Sequence, residues 1–252
     1  MMNVKEQFLG NKISVFTNDI HTFGTDAVLL ADFAKPRKNS KIAEFGTGCG
    51  IISLIWCRDG FGKQIDAIDI QIDACRLVNM AVEKYNLHNR LFVHNDDLKN
   101  INKVLQIGSY DLVVMNPPYK SASDGIKCGD ERIAIARHEI KCNTDDITKS
   151  ASLLLNTGGR LCMCQRPSRL CDLISSMKLN GIEPKKLRFV QQRYNLKPSL
   201  FLIEGKKGAK SGLDVEKPLI IENFDGDFSD EIKQIYGEYY EQKGRGAKQI
   251  DG

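Results

Sequence analysis

Several familiar signatures are missing from this 252-residue chain, and each absence removes a class of function. None of its eight cysteines is spaced C-x-x-C with another, so zinc-ribbon and dithiol patterns are excluded and structural zinc is not expected. No apolar run reaches the roughly 18 residues that suggest a membrane-spanning helix, and Met1-Met2-Asn3-Val4-Lys5 lacks the apolar core of an export signal. The expectation is a cytoplasmic protein with reduced cysteines, no membrane and no metal, and a monomer. Internal repeats and low-complexity blocks are also missing, which fits one α/β domain long enough to bury a large core. Nor is there a large excess of one charge: 36 Lys and Arg against 32 Asp and Glu leave a net +4. The pI near 8.5 falls short of the value above about 9 that marks strongly nucleic-acid-binding domains.

What is present is a set of motifs at strand ends. Glu44-Phe45-Gly46-Thr47-Gly48-Cys49-Gly50 stands between Lys41-Ile42-Ala43 and the helix-like Ile51–Cys57. It lacks the Lys-Ser/Thr end of a phosphate-binding loop, and its alternate glycines do not fit G-x-G-x-x-G. A loop of this kind lets backbone approach a small cofactor while the acid meets a positive group, although ordinary tight turns use glycine in the same way. A second strand, Gln64–Asp69, places Asp69 and the adjoining Ile70 about 20 residues on, where nucleotide folds put the acid that accepts ribose hydroxyls. A third, Arg90–His94, leads to Asp96, placed to cap an adenine amino group, and to Asp97, which reads more readily as a solvated loop acid.

The apolar run Tyr110–Met115 ends in Asn116-Pro117-Pro118-Tyr119. Proline has fixed φ and no N–H, so the two prolines hold a rigid turn whose carbonyls point at whatever binds there. The Asn116 amide oxygen and the Pro117 carbonyl can together accept both hydrogens of an exocyclic NH2, and Tyr119 offers a ring on which a flat base can stack. A proline-stiffened loop after a strand would look the same by itself.

In combination these residues resemble a class I S-adenosylmethionine-dependent methyltransferase of the amino-methylating type, over roughly residues 20–205. The resemblance implies a Rossmann-like α/β fold: a mostly parallel seven-stranded sheet with an antiparallel last strand and helices on both faces. It implies a cofactor loop at Glu44, Gly46, Gly48 and Gly50, a ribose acid at Asp69, an adenine contact at Asp96, and catalysis by Asn116, Pro117 and Tyr119 with Pro118 at the substrate. His21–Phe33, whose Thr25 and Asp26 are expected at the cofactor, is similar to the N-terminal signature of the bacterial tRNA1(Val) adenine-37 N6-methyltransferase family. Ala136-Arg137-His138-Glu139 and the Glu204–Leu213 segment are similar to that family's pattern as well. This narrower likeness implies transfer RNA as partner and an adenine amine beside the anticodon as acceptor. Phe45, where small aliphatic residues are commoner, and Glu44 in place of Asp depart from the pattern.

Eight basic residues, among them Arg193, Lys206 and Lys207, crowd the chain after Gly181 against only Glu183 and Glu204, a patch able to hold RNA phosphates or simply a solvated lysine face. Arg137 and His138 could touch phosphate or orient the loop. Two rival acceptors present the same NH2 to the Asn-Pro-Pro-Tyr motif: a protein glutamine side chain and the N2 of guanine in ribosomal RNA. A silent cofactor-binding scaffold is the third alternative, against which the intact Asn116 argues.

Local patterning predicts a hairpin over Phe8–Phe16 with a Gly-Asn turn, a helix capped by Thr25 and running to Ala34, and helices over 72–85, 145–155 and 167–178. Strands are predicted over 160–164 and 199–203. The N-terminal piece, residues 1–35, is expected to pack on a methyltransferase domain of residues 36–232, over the cofactor side. Residues 120–144 read as a lid, a substrate loop or a disordered connection, and a charged, Gly-rich tail is expected to fray from Ile232, with residues 233–252 forming the tail.

Overall fold

A computed structural model describes residues 3–117, 143–237 and 239. Pro118, Tyr119, Arg137, His138 and most of the 120–144 segment lie outside the described residues.

The chain opens with a hairpin, β1 (Lys5–Gly10) and β2 (Ile13–Thr17). Its turn residues are Asn11 and Lys12, with φ of 45° and 62°, so the turn falls one residue later than the Gly-Asn expectation. Asn tolerates the left-handed region well, and two left-handed central residues match the twist of the flanking strands. Helix α1 (Thr25–Ala34) follows, and its N-cap is Gly24 rather than Thr25. The Thr25 hydroxyl is instead the acceptor for Tyr236 Oη at 2.9 Å.

The central α/β unit comprises β3 (Lys41–Phe45), α2 (Ile51–Asp59), β4 (Gln64–Asp69), α3 (Ile72–Lys84), β5 (Leu91–Asn95), a short α4 (Ile101–Val104), β6 (Tyr110–Met115), α5 (Thr144–Leu154) and β7 (Leu155–Gln165). Helix α6 (Leu170–Leu179), β8 (Ile182–Gln191) and β9 (Leu200–Lys207) complete it, followed by two-residue strands β10 (Asp214–Val215) and β11 (Leu219–Ile220) and helix α7 (Asp230–Tyr236). Strands β3 to β7 are parallel in the order β5-β4-β3-β6-β7. Strand β9 runs antiparallel between β7 and β8, and β10 and β11 lie parallel along β8. The seven long strands are the expected class I sheet. The basic stretch after Gly181, read from sequence only as a charge patch, is divided between β8, β9 and the loops that follow them.

Strands buried on both faces read as continuous apolar runs, as in Leu112-Val113-Val114-Met115. Alternate residues divide between two cores. Ile42, Leu112, Val114, Cys162 and Leu202 join α1, α2, α3 and the hairpin on one face. Ala43, Phe45, Val113, Met115 and Ile203 meet α4, α5 and α6 on the other. Phe45, fully buried in the second core, thus faces away from Glu44, as period-two alternation requires. The expected fraying from Ile232 is not found there: α7 buries Ile232 and Tyr236, and Tyr239 stacks on Tyr236 with ring centroids 5.7 Å apart. Among the described residues no helix is long and apolar enough to cross a membrane.

Candidate functional site

The carboxyl ends of β3, β4, β5 and β6 open into one cavity of about 370 Å³, closed on its remaining side by Ile20–Ala27. Crevices at this end of a parallel sheet are where ligands bind in doubly wound folds. The N-terminal piece does lie over this side, through residues 20–27, while the hairpin itself packs on α2 and α3. Lining it are Asp26, Glu44, Gly46, Gly48, Asp69, Ile70, Asp96, Asp97, Asn116 and Pro117. Thr25 and Gly50 do not line it. Gly50 serves the packing of the loop instead, with φ of 78° and Val78 only 2.9 Å from where a Cβ would stand. At Gly48, φ is 56° and a Cβ would meet nothing within 4 Å, so its backbone faces open cavity.

Asp69 is held by the loop it faces. Its Oδ2 accepts from Gly48 N at 2.8 Å and its Oδ1 from Gln71 N at 2.9 Å. Each carboxylate oxygen keeps acceptor capacity beyond one backbone bond, which suits a vicinal diol. Burial raises its pKa, and those backbone bonds pull it back down. Asp96 N donates to Asp69 O at 3.2 Å, tying the loop after β5 to the end of β4. Asp97 also acts locally, since its Oδ1 accepts from Lys99 N at 2.9 Å and caps the short 3-10 turn Leu98–Asn100.

Glu44 is 2% exposed and accepts from both Ser53 N, at 3.2 Å, and Ser53 Oγ. Burial pushes its carboxyl up to about 7, against the pull of the Ser53 bonds. Between about pH 4.5 and 7 the folded protein holds a proton at Glu44 that the unfolded chain has released. Stability of the free protein is therefore expected to fall as pH rises through that window, by on the order of 3 kcal/mol in total. A positive group bound against Glu44 favours the carboxylate and opposes this loss. Urea denaturation at pH 5 and pH 8 should show Glu44→Gln flattening the dependence, and a Gln variant as steep as the parent removes Glu44 as its source.

Asn116 and Pro117 line the cavity, directly after β6. Asn116 Nδ2 donates to Asp26 Oδ2 at 3.0 Å, and Cys164 Sγ donates to Asn116 Oδ1 at 2.9 Å. Sequence reading missed His21, Phe23, Gln71 and Leu98 as lining residues. His21 is placed by an Asn18 turn, whose Oδ1 accepts from His21 N at 2.6 Å. His21 and Phe23 reach the cavity from the segment that precedes α1, a placement no local pattern signals.

The basic cluster separates into two edges. Because β9 is antiparallel, Lys206 pairs with Arg160 of β7, and Arg160 in turn pairs with Leu112 of β6. Asn116 lies four residues further along β6, about 13 Å at the strand rise. Lys206 and Lys207 thus stand at the end of the sheet opposite the cavity. Lys207 Nζ donates to Ser152 O at 2.6 Å and Leu155 O at 2.8 Å, satisfying carbonyls at the end of α5. Lys207→Ala is expected to cost about 1–2 kcal/mol of stability and to leave RNA affinity within twofold, by urea denaturation and filter binding. A tenfold loss of RNA affinity at unchanged stability would return Lys207 to the substrate surface. Arg193 follows β8 at the cavity-side edge, with Nε 2.7 Å from Glu222 Oε2. Arg166 and Arg169, just beyond β7, share that edge and were not singled out from the sequence.

Comparison with known proteins adds to this geometry. The methyltransferase small domain family matches residues 7–171. A tRNA1(Val) (adenine(37)-N6)-methyltransferase from Parabacteroides distasonis is 29% identical over 221 residues, covering 86% of this chain and 90% of that protein. A protein of the same name from Tolumonas auensis is 26% identical, covering 86% and 89%. Among solved structures, a predicted O-methyltransferase, Atu636 from Agrobacterium tumefaciens, superposes with a TM-score of 0.65 at 18% identity, covering 84% of this chain and 95% of its own. A geranyl diphosphate C-methyltransferase from Streptomyces coelicolor gives 0.52 at 11% identity, covering 72% and 76%. With the class I sheet order, a glycine loop and acids gathered at its carboxyl edge, and a family match spanning well over half its length, this chain belongs to the methyltransferase small domain family.

Proposed function

We propose that this protein transfers a methyl group from S-adenosylmethionine to the N6 amine of an adenine in transfer RNA, with adenine-37 of a valine tRNA, the target in its relatives' name, as the acceptor. The observation that carries the reading is Asn116-Pro117 lining one cavity with Glu44, Asp69 and Asp96. The cavity suits the cofactor. Asp69 is oriented for the ribose, Glu44 offers a buried acid for the amino group, and Asp96 faces the adenine side. Thr47 is buried beside Glu44, and its hydroxyl acts with the Ser53 bonds against the burial that raises the Glu44 carboxyl.

When bound, the cofactor supplies an electrophilic methyl group on a sulfonium. The adenine amine is a poor nucleophile because its lone pair is delocalised into the ring. Accepting its hydrogens at Asn116 Oδ1 and the Pro117 carbonyl favours a pyramidal nitrogen and stabilises the positive charge that develops on it. The methylated nitrogen then loses a proton to water or a carbonyl, so no strong general base is required. Tyr119, with Pro118 before it, is assigned to stacking the base, and Arg137 and His138 to the substrate side. Among the described cations, Arg166, Arg169, Arg193 and Lys197 occupy the edge at which tRNA phosphates would arrive. A monomer in the cytoplasm completes the reading.

Purified protein incubated with radiolabelled S-adenosylmethionine and total RNA from a strain lacking the enzyme tests it, followed by nucleoside mass spectrometry. Label in N6-methyladenosine of the tRNA fraction is the expected result. Label in N2-methylguanosine, or in protein alone, overturns it.

A further inference from the structure

Asn116 can help catalysis only if its amide presents oxygen, not nitrogen, to the incoming amine. The two ends of an amide group are nearly the same size, so shape alone does not choose between them. Here the choice is made by a residue ninety positions away. The Asp26 carboxylate, which can only accept, holds Asn116 Nδ2 at 3.0 Å and so turns Oδ1 the other way. The Cys164 thiol donates to that oxygen from β7 at 2.9 Å. A carbonyl oxygen carries two lone pairs, so a thiol on one is compatible with an amine hydrogen on the other.

We propose that Asp26 is a positioning residue for methyl transfer, orienting and polarising the Asn116 amide, rather than the ligand of the cofactor that its place in the N-terminal signature suggested. The proposal rests on the reading of Asn116 as acceptor of the amine hydrogens. Its second support is Gly24. A Cβ at position 24 would stand 2.5 Å from Asp26 Oδ1, although φ there is an ordinary −111°. A side chain at 24 would thus displace the carboxylate, while the backbone there is ordinary. Fixing the start of α1 is a third element: Tyr236 Oη reaches the Thr25 hydroxyl, so the segment carrying Asp26 is tied to α7. A negative charge behind Nδ2 also strengthens Oδ1 as an acceptor, because hydrogen bonds to charged groups polarise the amide.

The test is a double-mutant cycle on single-turnover methylation of unmodified tRNA1(Val) transcript, with S-adenosylhomocysteine affinity measured on the same samples. Asp26→Ala is expected to lower the rate about 100-fold, with S-adenosylhomocysteine binding within threefold of the parent. Asp26→Asn, which keeps a neutral acceptor for Nδ2, should recover at least a tenth of the parent rate. Gly24→Ala should slow the reaction in the same direction by displacing the carboxylate, which also covers an Ala variant at 26 that melts early. Asp26→Ala combined with Asn116→Ala should be no slower than Asn116→Ala alone, since one residue acts through the other. Additive losses, or a loss of S-adenosylhomocysteine affinity as large as the loss of rate, overturn the positioning role. If Asn116→Ala alone leaves the rate unchanged, the reading of Asn116 fails instead.

Discussion

Replacing Asn116 by alanine is expected to lower the single-turnover rate by about 10²–10³, while S-adenosylhomocysteine affinity stays within about threefold. The magnitude follows from the loss of one preorganised hydrogen-bond partner that acts on developing charge, which costs on the order of 2–4 kcal/mol in other enzymes. Its weight here rests on rigidity. β6 is buried on both faces up to Met115, Pro117 is buried directly after it, and Asp26 and Cys164 hold the amide from two sides. An acceptor that does not reorganise during the reaction favours the transition state over the bound base. The substitution should therefore act on the rate and little on cofactor affinity, although Asn116 lines the cofactor cavity too. A variant with the parent rate would remove this residue from the mechanism whichever substrate is used.

The second large effect is expected at Asp69, and on binding rather than rate. Asp69→Ala should weaken S-adenosylhomocysteine binding by about 10²–10⁴, from two charge-assisted bonds worth about 1.5–3 kcal/mol each. Two further contacts are lost with the carboxylate, because Gly48 N and Gln71 N are then left without their acceptors. Gly48 belongs to the loop whose backbone meets the cavity, so the same substitution loosens the glycine turn. Asp69→Asn should fall between Ala and the parent, since an amide oxygen can serve one of the two backbone donors but its nitrogen repels the other. Isothermal titration with S-adenosylhomocysteine measures both variants. A change smaller than fivefold in Asp69→Ala would separate Asp69 from the cofactor.

Much of the framework was legible because it is written in short-range pattern. The runs Gln64–Asp69 and Tyr110–Met115 became β4 and β6 with those boundaries, the second largely apolar through its length and the first carrying Ile65, Ala67 and Ile68 among polar residues. The glycine loop was legible because three positions with φ between 56° and 78° demand a residue without Cβ. Ends set by capping geometry were less so. Thr25 has the chemistry of a cap, yet Gly24 takes that place without a side-chain cap, and the Thr25 hydroxyl is taken up by Tyr236.

What the sequence determined by itself was local: which segments alternate, where turns fall, which acids and amides end strands, and hence the class of chemistry. The tertiary structure alone decided which of these meet. Antiparallel insertion of β9 carried Lys206 and Lys207 to the far edge of the sheet, while the β8–β9 loop kept Arg193 at the cavity-side edge. Folding of α1 against the sheet brought Asp26 to Asn116 across ninety residues. The reason is physical. Periodicity records how a residue relates to its chain neighbours, whereas strand order and direction follow from burying both faces of the whole sheet together, a condition no single segment encodes.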